Sequence, residues 1–396
     1  MPEKDFNFRD IFPVFLTAMI DFIGFGIIIP IAPYYLETFG GNAFDFSILL
    51  VVYSGAQFIA SPFLGRISDY YGRKRVLSIG LSGEVAGYLV FALAPYLLIL
   101  YIGRIITGAT SGNLPVLYAF VSDKTSPSGR TKAIGLIGAA IGIGFVIGPA
   151  IGGILSVFGY RVPIFFAALL SVINLSLVQR LSEGRTKTKA RKGSIINAFK
   201  VAPYLFLSIT AIAMGFVMLQ TVLAFYGQSL YGWGSLEVGL ILAMVGIEQA
   251  VFQIGVVPAL VSKLGTWKVL FAGIIAFTVS FGILSFENPE YIALLALTIF
   301  ALGYSFFQTP VISYISQISR EGESGANLGI TQSAQSLASI IAPLIAGYLF
   351  YYVSKFVPFE ISAVVGIVSA ALVFISLRQR NGKGVIIDKT QAAQET

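Results

Sequence analysis

The run "IFPVFLTAMIDFIGFGIIIPIAPYYL", Ile11 to Leu36, decides the class of this chain. At about 1.5 Å per helical residue it is long enough to cross a hydrocarbon core of about 30 Å. One ionisable side chain, Asp21, sits about 15 Å into it on the same rise. A charge at that depth costs roughly 2.5 to 3.5 kcal/mol if it faces lipid, so its presence asks for a polar partner or a water-filled recess.

The rest of the chain agrees with a membrane reading. Of 396 residues 56% are apolar and 11% charged, with a mean hydropathy of +0.84; soluble domains carry about 25% charged residues. Twenty-six Lys and Arg against 19 Asp and Glu give a net charge of +7. That excess follows the loops rather than one solvated face, which argues against a nucleic-acid partner. With no Cys and no His, disulfides, thiolate or imidazole metal sites and Ser-His-Asp chemistry are excluded, and no cofactor is implied. Proton chemistry near neutral pH falls to carboxylates. The opening "MPEKDFNFRD" has no small-residue cleavage site after a short apolar core, so the first run reads as a retained helix.

Apolar runs of spanning length fall at about 11–36, 45–67, 76–95, 98–122, 131–157, 161–180, 203–228, 236–262, 268–286, 291–317, 326–352 and 359–377. Twelve spans with an inside N-terminus put Arg66, Arg73, Lys74, Arg75, Lys124, Arg130, Lys132, Lys263, Lys268 and Arg320 in inside loops. Only Arg161 and Lys355 then fall outside. This alternation is the positive-inside pattern and predicts that both termini are cytoplasmic, in a multi-pass protein of the cell membrane. "RLSEGRTKTKARKGS", Arg180 to Ser194, divides the chain almost in half. It reads as a solvated basic tether; contact with anionic headgroups, worth about 1 kcal/mol per basic residue, is the other reading. The organisation expected is a bundle over 1–182, a linker over 183–201 and a second bundle over 202–396 with a short tail.

The halves repeat. "GRKRVL" at Gly72 returns as "GTWKVL" at Gly265, and Gly135, Pro149 and Gly153 return as Gly329, Pro343 and Gly347. A parallel repeat of six helices predicts two pseudo-symmetric bundles around a central cavity, an all-α integral membrane fold.

Four motifs carry a resemblance to a known family. The loop "GRISDYYGRKRVL", Gly65 to Leu77, resembles the signature between the second and third helices of the major facilitator superfamily, with Ile67 and Tyr70 as departures. "GFVIGPAIGG", Gly144 to Gly153, is similar to the fifth-helix motif of its proton-driven antiporters. "DFIGFGIIIPIAP", Asp21 to Pro33, and "GRIITG", Gly103 to Gly108, resemble the first- and fourth-helix motifs of the twelve-helix drug/proton antiporters, tetracycline exporters among them. The resemblance covers the whole chain. It implies a monomeric secondary transporter working by alternating access, with protons and a small molecule as partners, and it favours efflux over uptake.

Each motif also has a physical reading. Gly144, Gly148, Gly152 and Gly153 let membrane helices approach closely, and Pro149 adds a bend. In the loop, which holds the gate residues Gly65 and Gly72, the four basic residues Arg66, Arg73, Lys74 and Arg75 satisfy topology, but Asp69 is not required by it. The resemblance implies that Asp69 faces the start of the eleventh helix near Ser324 to Asn327, where free N–H groups would receive it. It further implies that Arg73 pairs with Asp123, closing a cytoplasmic gate.

Within the spans lie Asp21, Glu84, Arg104 and Glu248. Four separate burial costs would rival a folding free energy of about 5 to 15 kcal/mol, so a shared aqueous recess is the economical explanation. Two readings stay open: Arg104 neutralises Asp21 as a structural pair, or Asp21 and Glu84 take up protons beside Arg104. Glu248 suits a cationic or hydrogen-bonding substrate. The resemblance adds, as substrate-lining candidates, Tyr53, Gln57, Asn113, Tyr118, Gln220, Gln249, Gln308, Gln332 and Gln335, with Phe225, Tyr226, Phe306 and Phe307 as aromatic walls.

There is no phosphate loop for ATP, and the glycines near Gly142 follow no strand, so the chain does not read as an enzyme or a nucleotide-driven pump. The expected function is proton-coupled efflux of a small lipophilic or cationic drug-like compound. Proton symport of a sugar or other metabolite uses the same parts, and a membrane sensor is the third reading, disfavoured because no loop is long enough for a signalling domain.

Overall fold

In the computed structural model the described residues are 8–125, 127–181, 203–318 and 324–392, with side chains described over 11–121, 125, 133–181, 203–314 and 334–378. Residues 182–202, which hold most of the basic tether, and the side chains of Asp123, Gln332 and Ser324 to Asn327 lie outside these. Among the described residues the fold is all-α, and twelve stretches are long and apolar enough to cross a membrane.

The N-terminal half runs α1 (Phe8–Ile28), α2 (Ala32–Glu37), α3 (Ala43–Tyr71), α4 (Arg73–Ala92), α5 (Leu97–Thr110), α6 (Asn113–Lys124), α7 (Pro127–Ser156) and α8 (Arg161–Gln179). The C-terminal half runs α9 (Pro203–Tyr231), α10 (Ser235–Val251), a π segment over Phe252–Val256, α11 (Val257–Leu264), α12 (Thr266–Leu284), α13 (Glu290–Ile318), α14 (Ser324–Tyr352) and α15 (Val357–Ala392).

Three spans that the sequence presents as continuous are interrupted, each beside a proline. In the first, Pro30 has no N–H to offer the Gly26 carbonyl. Ile29 N donates there instead at 3.3 Å, the chain turns, and Pro33 opens α2. The fourth span breaks at Ser111 and Gly112, four and three residues before Pro115. In the eighth, Pro258 cannot donate to Ile254, and the ladder there widens into the π segment.

Local chemistry fixes the turns. Asn42 caps α3 by accepting from Phe44 N at 2.8 Å and Asp45 N at 3.2 Å, while Asp45 Oδ2 accepts from Asn42 N at 3.0 Å. Gly72, at φ 97°, turns α3 into α4, and Gly265, at φ 85°, turns α11 into α12. These are the first residues of the two repeated hexapeptides, in a backbone region that L side chains rarely adopt. The repeat extends to packing: α4 lies against α5 and α8, as α12 lies against α13 and α15.

The described chain divides into two compact units. One holds α1 to α8 with the segments Gln220–Ile247 and Pro343–Lys355; the other holds the rest of the C-terminal half. In the first unit two apolar clusters form the core, one around Ile28, Phe46 and Phe91 and one around Val76, Leu117 and Phe120. In the second, Val257, Val269 and Phe306 cluster.

Candidate functional site

The polar residues of the first unit gather where α1, α3, α4 and the broken fourth span meet. Glycines make that meeting possible. On α4, Gly83 faces the Thr110 side chain, and a Cβ on Gly87 would fall 3.0 Å from the Gly103 carbonyl oxygen. A larger residue at either position would drive α4 from α5. The close approach brings Glu84, 2% exposed, against Asn113, also 2% exposed: Asn113 Nδ2 donates to Glu84 Oε1 at 2.9 Å.

Asn113 can do this because it is the first residue of α6, directly after the break. Pro115 lacks the N–H that would bond the Ser111 carbonyl, and Gln57 Nε2 from α3 fills that place at 3.1 Å. The same Nε2 reaches the Tyr53 hydroxyl at 3.4 Å. Asp21, on α1, comes within side-chain hydrogen-bonding reach of both Glu84 and Asn113. The two acids therefore meet each other.

Arg104, 3% exposed, lies apart from them. Its Cζ is 5.2 Å from the Tyr53 ring centroid and 5.3 Å from that of Phe91, its Nε has no partner, and among the described residues it makes no ion pair. The structural pairing of Arg104 with Asp21, one of the two sequence readings, is absent.

Tyr88, not among the candidates that the sequence singles out, belongs to the cluster. It lies one turn beyond Glu84, buried, with its hydroxyl 3.6 Å from where a Cβ on Gly24 would stand. Its position four residues after an intramembrane acid is the signal that points to it. At the spacing that relates Gly72 to Gly265, Glu84 falls on Phe277 and Asn113 on Phe306, both buried. The carboxyl pair is thus peculiar to the first half.

The second unit has a different acid. Thr298 Oγ1 donates to Glu248 Oε1 at 2.9 Å, while Glu248 Oε2 and Gln249 Nε2 are buried without partners. Ser305 Oγ donates to the Gln249 carbonyl at 3.4 Å, and the π segment begins three residues later.

Of the other lining candidates, Gln220, Gln308, Gln335 and Tyr118 are half-buried; Tyr118 packs against the core around Phe120. Phe225, Tyr226, Phe306 and Phe307 are buried. Phe225 packs in the first unit's core at 5.8 Å from Phe46, and Phe306 in the second's.

At the end carrying the N-terminus, Asp69 pairs with Arg73 at 2.6 Å, and Arg73 also donates to Ser68 Oγ. Gly65 contributes its carbonyl to Ser68 Oγ at 2.7 Å, and Arg75 is exposed. The side chain of the expected partner Asp123 is outside the described ones.

At the opposite end of α7 the glycine motif meets two elements of its unit. Gly144 faces Phe22, a Cβ on Gly148 would lie 2.8 Å from the Gly26 Cα, and Gly152 faces the Ile27 carbonyl, so the motif seats α7 on α1, where a Cβ on Gly26 would lie 3.0 Å from Pro149 Cδ. A Cβ on Gly153 would lie 3.1 Å from the Gly239 Cα, beside Ser235 Oγ donating to Ser156 Oγ at 2.7 Å. Tyr34 adds a 2.8 Å hydrogen bond to the Trp233 carbonyl, and Gln228 Nε2 donates to Glu37 at 3.0 Å.

The model of the Major Facilitator Superfamily matches residues 14–338 and 234–393. The chain is 29% identical to the tetracycline resistance protein, class B, of Escherichia coli over 85% of this chain and 87% of that one. It is 31% identical to the class D protein of Salmonella ordonez over 85% and 88%. To multidrug resistance protein 2 of Bacillus subtilis it is 27% identical over 94% and 96%. Among solved structures, the human organic anion transporter MFSD10 shares its fold at a TM-score of 0.69 and 20% identity, over 92% of this chain and 98% of that one.

Proposed function

The chain belongs to the Major Facilitator Superfamily, a family of membrane transporters rather than enzymes, and on that premise we propose that it exchanges protons for a small lipophilic or cationic drug-like compound, exporting the compound by alternating access. The observation that carries this reading is the meeting of the half-buried Asp21 with the buried Glu84 and Asn113. Two carboxyl groups within hydrogen-bonding reach can share one proton, whereas both ionised would repel in a medium that screens weakly. A proton arriving or leaving there changes how α1 and α4 hold each other. The printed names of the relatives, tetracycline and multidrug resistance proteins, support a drug-like cargo.

In this reading Glu248, with one carboxylate oxygen unpartnered, receives the basic group of the cargo, and the half-buried glutamines line its path. The N-terminus and the Asp69–Arg73 pair face the cytoplasm, where the loop serves as a gate. The contacts of Gly153 with Gly239 and of Tyr34 with Trp233 close the outer side.

Everted vesicles carrying Asp21→Asn test the proposal. Proton-driven uptake of a lipophilic cation should be lost while counterflow exchange persists; accumulation against a gradient by the variant refutes it. The direction of proton-coupled flux in the wild type separates export from symport.

A further inference from the structure

We propose that Arg104 is the seat of an acidic oxygen on an aromatic cargo, distinct from the carboxyl pair. This rests on the transport reading above. The guanidinium carries five N–H donors and a permanent charge. Among the described residues no carboxylate lies within ion-pair distance of it, and its Nε is buried without a hydrogen-bond partner. Glu84 accepts from Asn113 at 2.9 Å, and Asp21 stands within side-chain reach of both.

The groups that do hold Arg104 are rings. Tyr53 and Phe91 lie 5.2 and 5.3 Å from its Cζ. Aromatic rings attract a cation but leave its N–H groups wanting acceptors. A cation this deeply buried is strongly destabilising unless it is paired. A fixed, unpaired, aromatic-walled guanidinium is therefore complementary to a flat ligand ending in a carboxylate or similarly acidic oxygen. Such an oxygen would form the charge-assisted, two-pronged hydrogen bonds that guanidinium geometry favours, while the ligand ring continues the stack.

The same place would suit a free inorganic anion, and binding to the full-length protein in lipid nanodiscs separates the sources. Calorimetric titration with benzoate is compared with benzamide, its neutral isostere, and with chloride over a gluconate background. Benzoate should bind saturably and at least tenfold more tightly than benzamide, with chloride a weak competitor. Arg104→Gln should erase the preference, and Arg104→Lys should keep part of it as a point charge.

Equal binding of benzoate and benzamide in the wild type, or benzoate affinity unchanged in Arg104→Gln, would mean that water alone serves the guanidinium and overturns the proposal. Chloride displacing benzoate with equal or greater affinity makes the occupant an inorganic ion and overturns the cargo assignment. The wild-type comparison stands even if Arg104→Gln does not fold. Absence of proton-driven cation transport by the wild type in vesicles, or its persistence in Asp21→Asn, would instead refute the export reading and leave these titrations unaffected.

Discussion

Breaking the fourth span at Ser111 leaves a carbonyl that the helix itself cannot satisfy, and the Gln57 side chain should carry a measurable share of the stability. Pro115 removes the helical donor, and Gln57 Nε2 replaces it at 3.1 Å. Gln57→Leu, similar in bulk, would strand the Ser111 carbonyl. Orphaning a buried polar group costs about 1–3 kcal/mol, and because Gln57 and Ser111 are half-buried the lower end, about 1 kcal/mol, applies. Pro115→Ala returns an N–H at the position that bonds Ser111 in a regular helix. In that background Gln57→Leu should cost little, so a double-mutant cycle should show a coupling of about 1 kcal/mol, roughly a fivefold difference in the unfolding equilibrium. The assay is reversible denaturation of the purified protein in micelles, with proton-driven transport measured alongside. Restoring the ladder straightens the span and moves Asn113, so Pro115→Ala should also impair transport. Additivity within about 0.3–0.5 kcal/mol would show that Gln57 does not substitute for the missing donor and would refute the account of the break.

Glu84→Gln keeps an acceptor for Asn113 and should leave thermal stability unchanged while abolishing proton-driven transport; Glu84→Leu strands the Asn113 amide and should lose about 1–3 kcal/mol in the same denaturation assay. Gly72→Ala and Gly265→Ala each force a Cβ into a positive-φ turn, and each should cost about 1–2 kcal/mol, the likeness of the two losses testing the repeat. Gly148→Leu intrudes on the Gly26 backbone and should destabilise by at least about 1–3 kcal/mol, read as a lower unfolding midpoint; an unchanged midpoint would mean that α1 and α7 are not held at this distance. Glu248→Gln should weaken binding of a lipophilic cation, measured by calorimetry, without moving the unfolding midpoint, since Thr298 retains its acceptor.

Much of this protein is legible in the local chemistry of its segments. Span length and apolarity set the twelve crossings, because a bilayer imposes a minimum helix length. The recurrence of Gly72 at Gly265 exposes the repeat, because a positive-φ turn admits glycine readily and few other residues. Asp21 and Glu84 stand out because an acid in an apolar run is costly.

The interruptions are harder to place. Pro30, Pro115 and Pro258 are visible in the sequence, but whether a proline bends, breaks or widens a span depends on which neighbouring group takes over the freed carbonyl. At Ser111 that group is Gln57, far away along the chain, so Gln57 reads from sequence as one more polar wall residue.

Composition and periodicity thus determined the membrane class, the number of crossings, the duplicated halves and the acids worth watching, all of which follow from properties of a segment taken alone. Only the tertiary structure decided that Asp21 and Glu84 share a site with Asn113, that Arg104 lies between rings without a counter-ion, that Tyr88 belongs with them, and that Phe277 and Phe306 fill the matching place in the second half. Those facts depend on the rotation and closeness of helices packed across the bundle, which glycine contacts and broken turns set jointly and no single segment encodes.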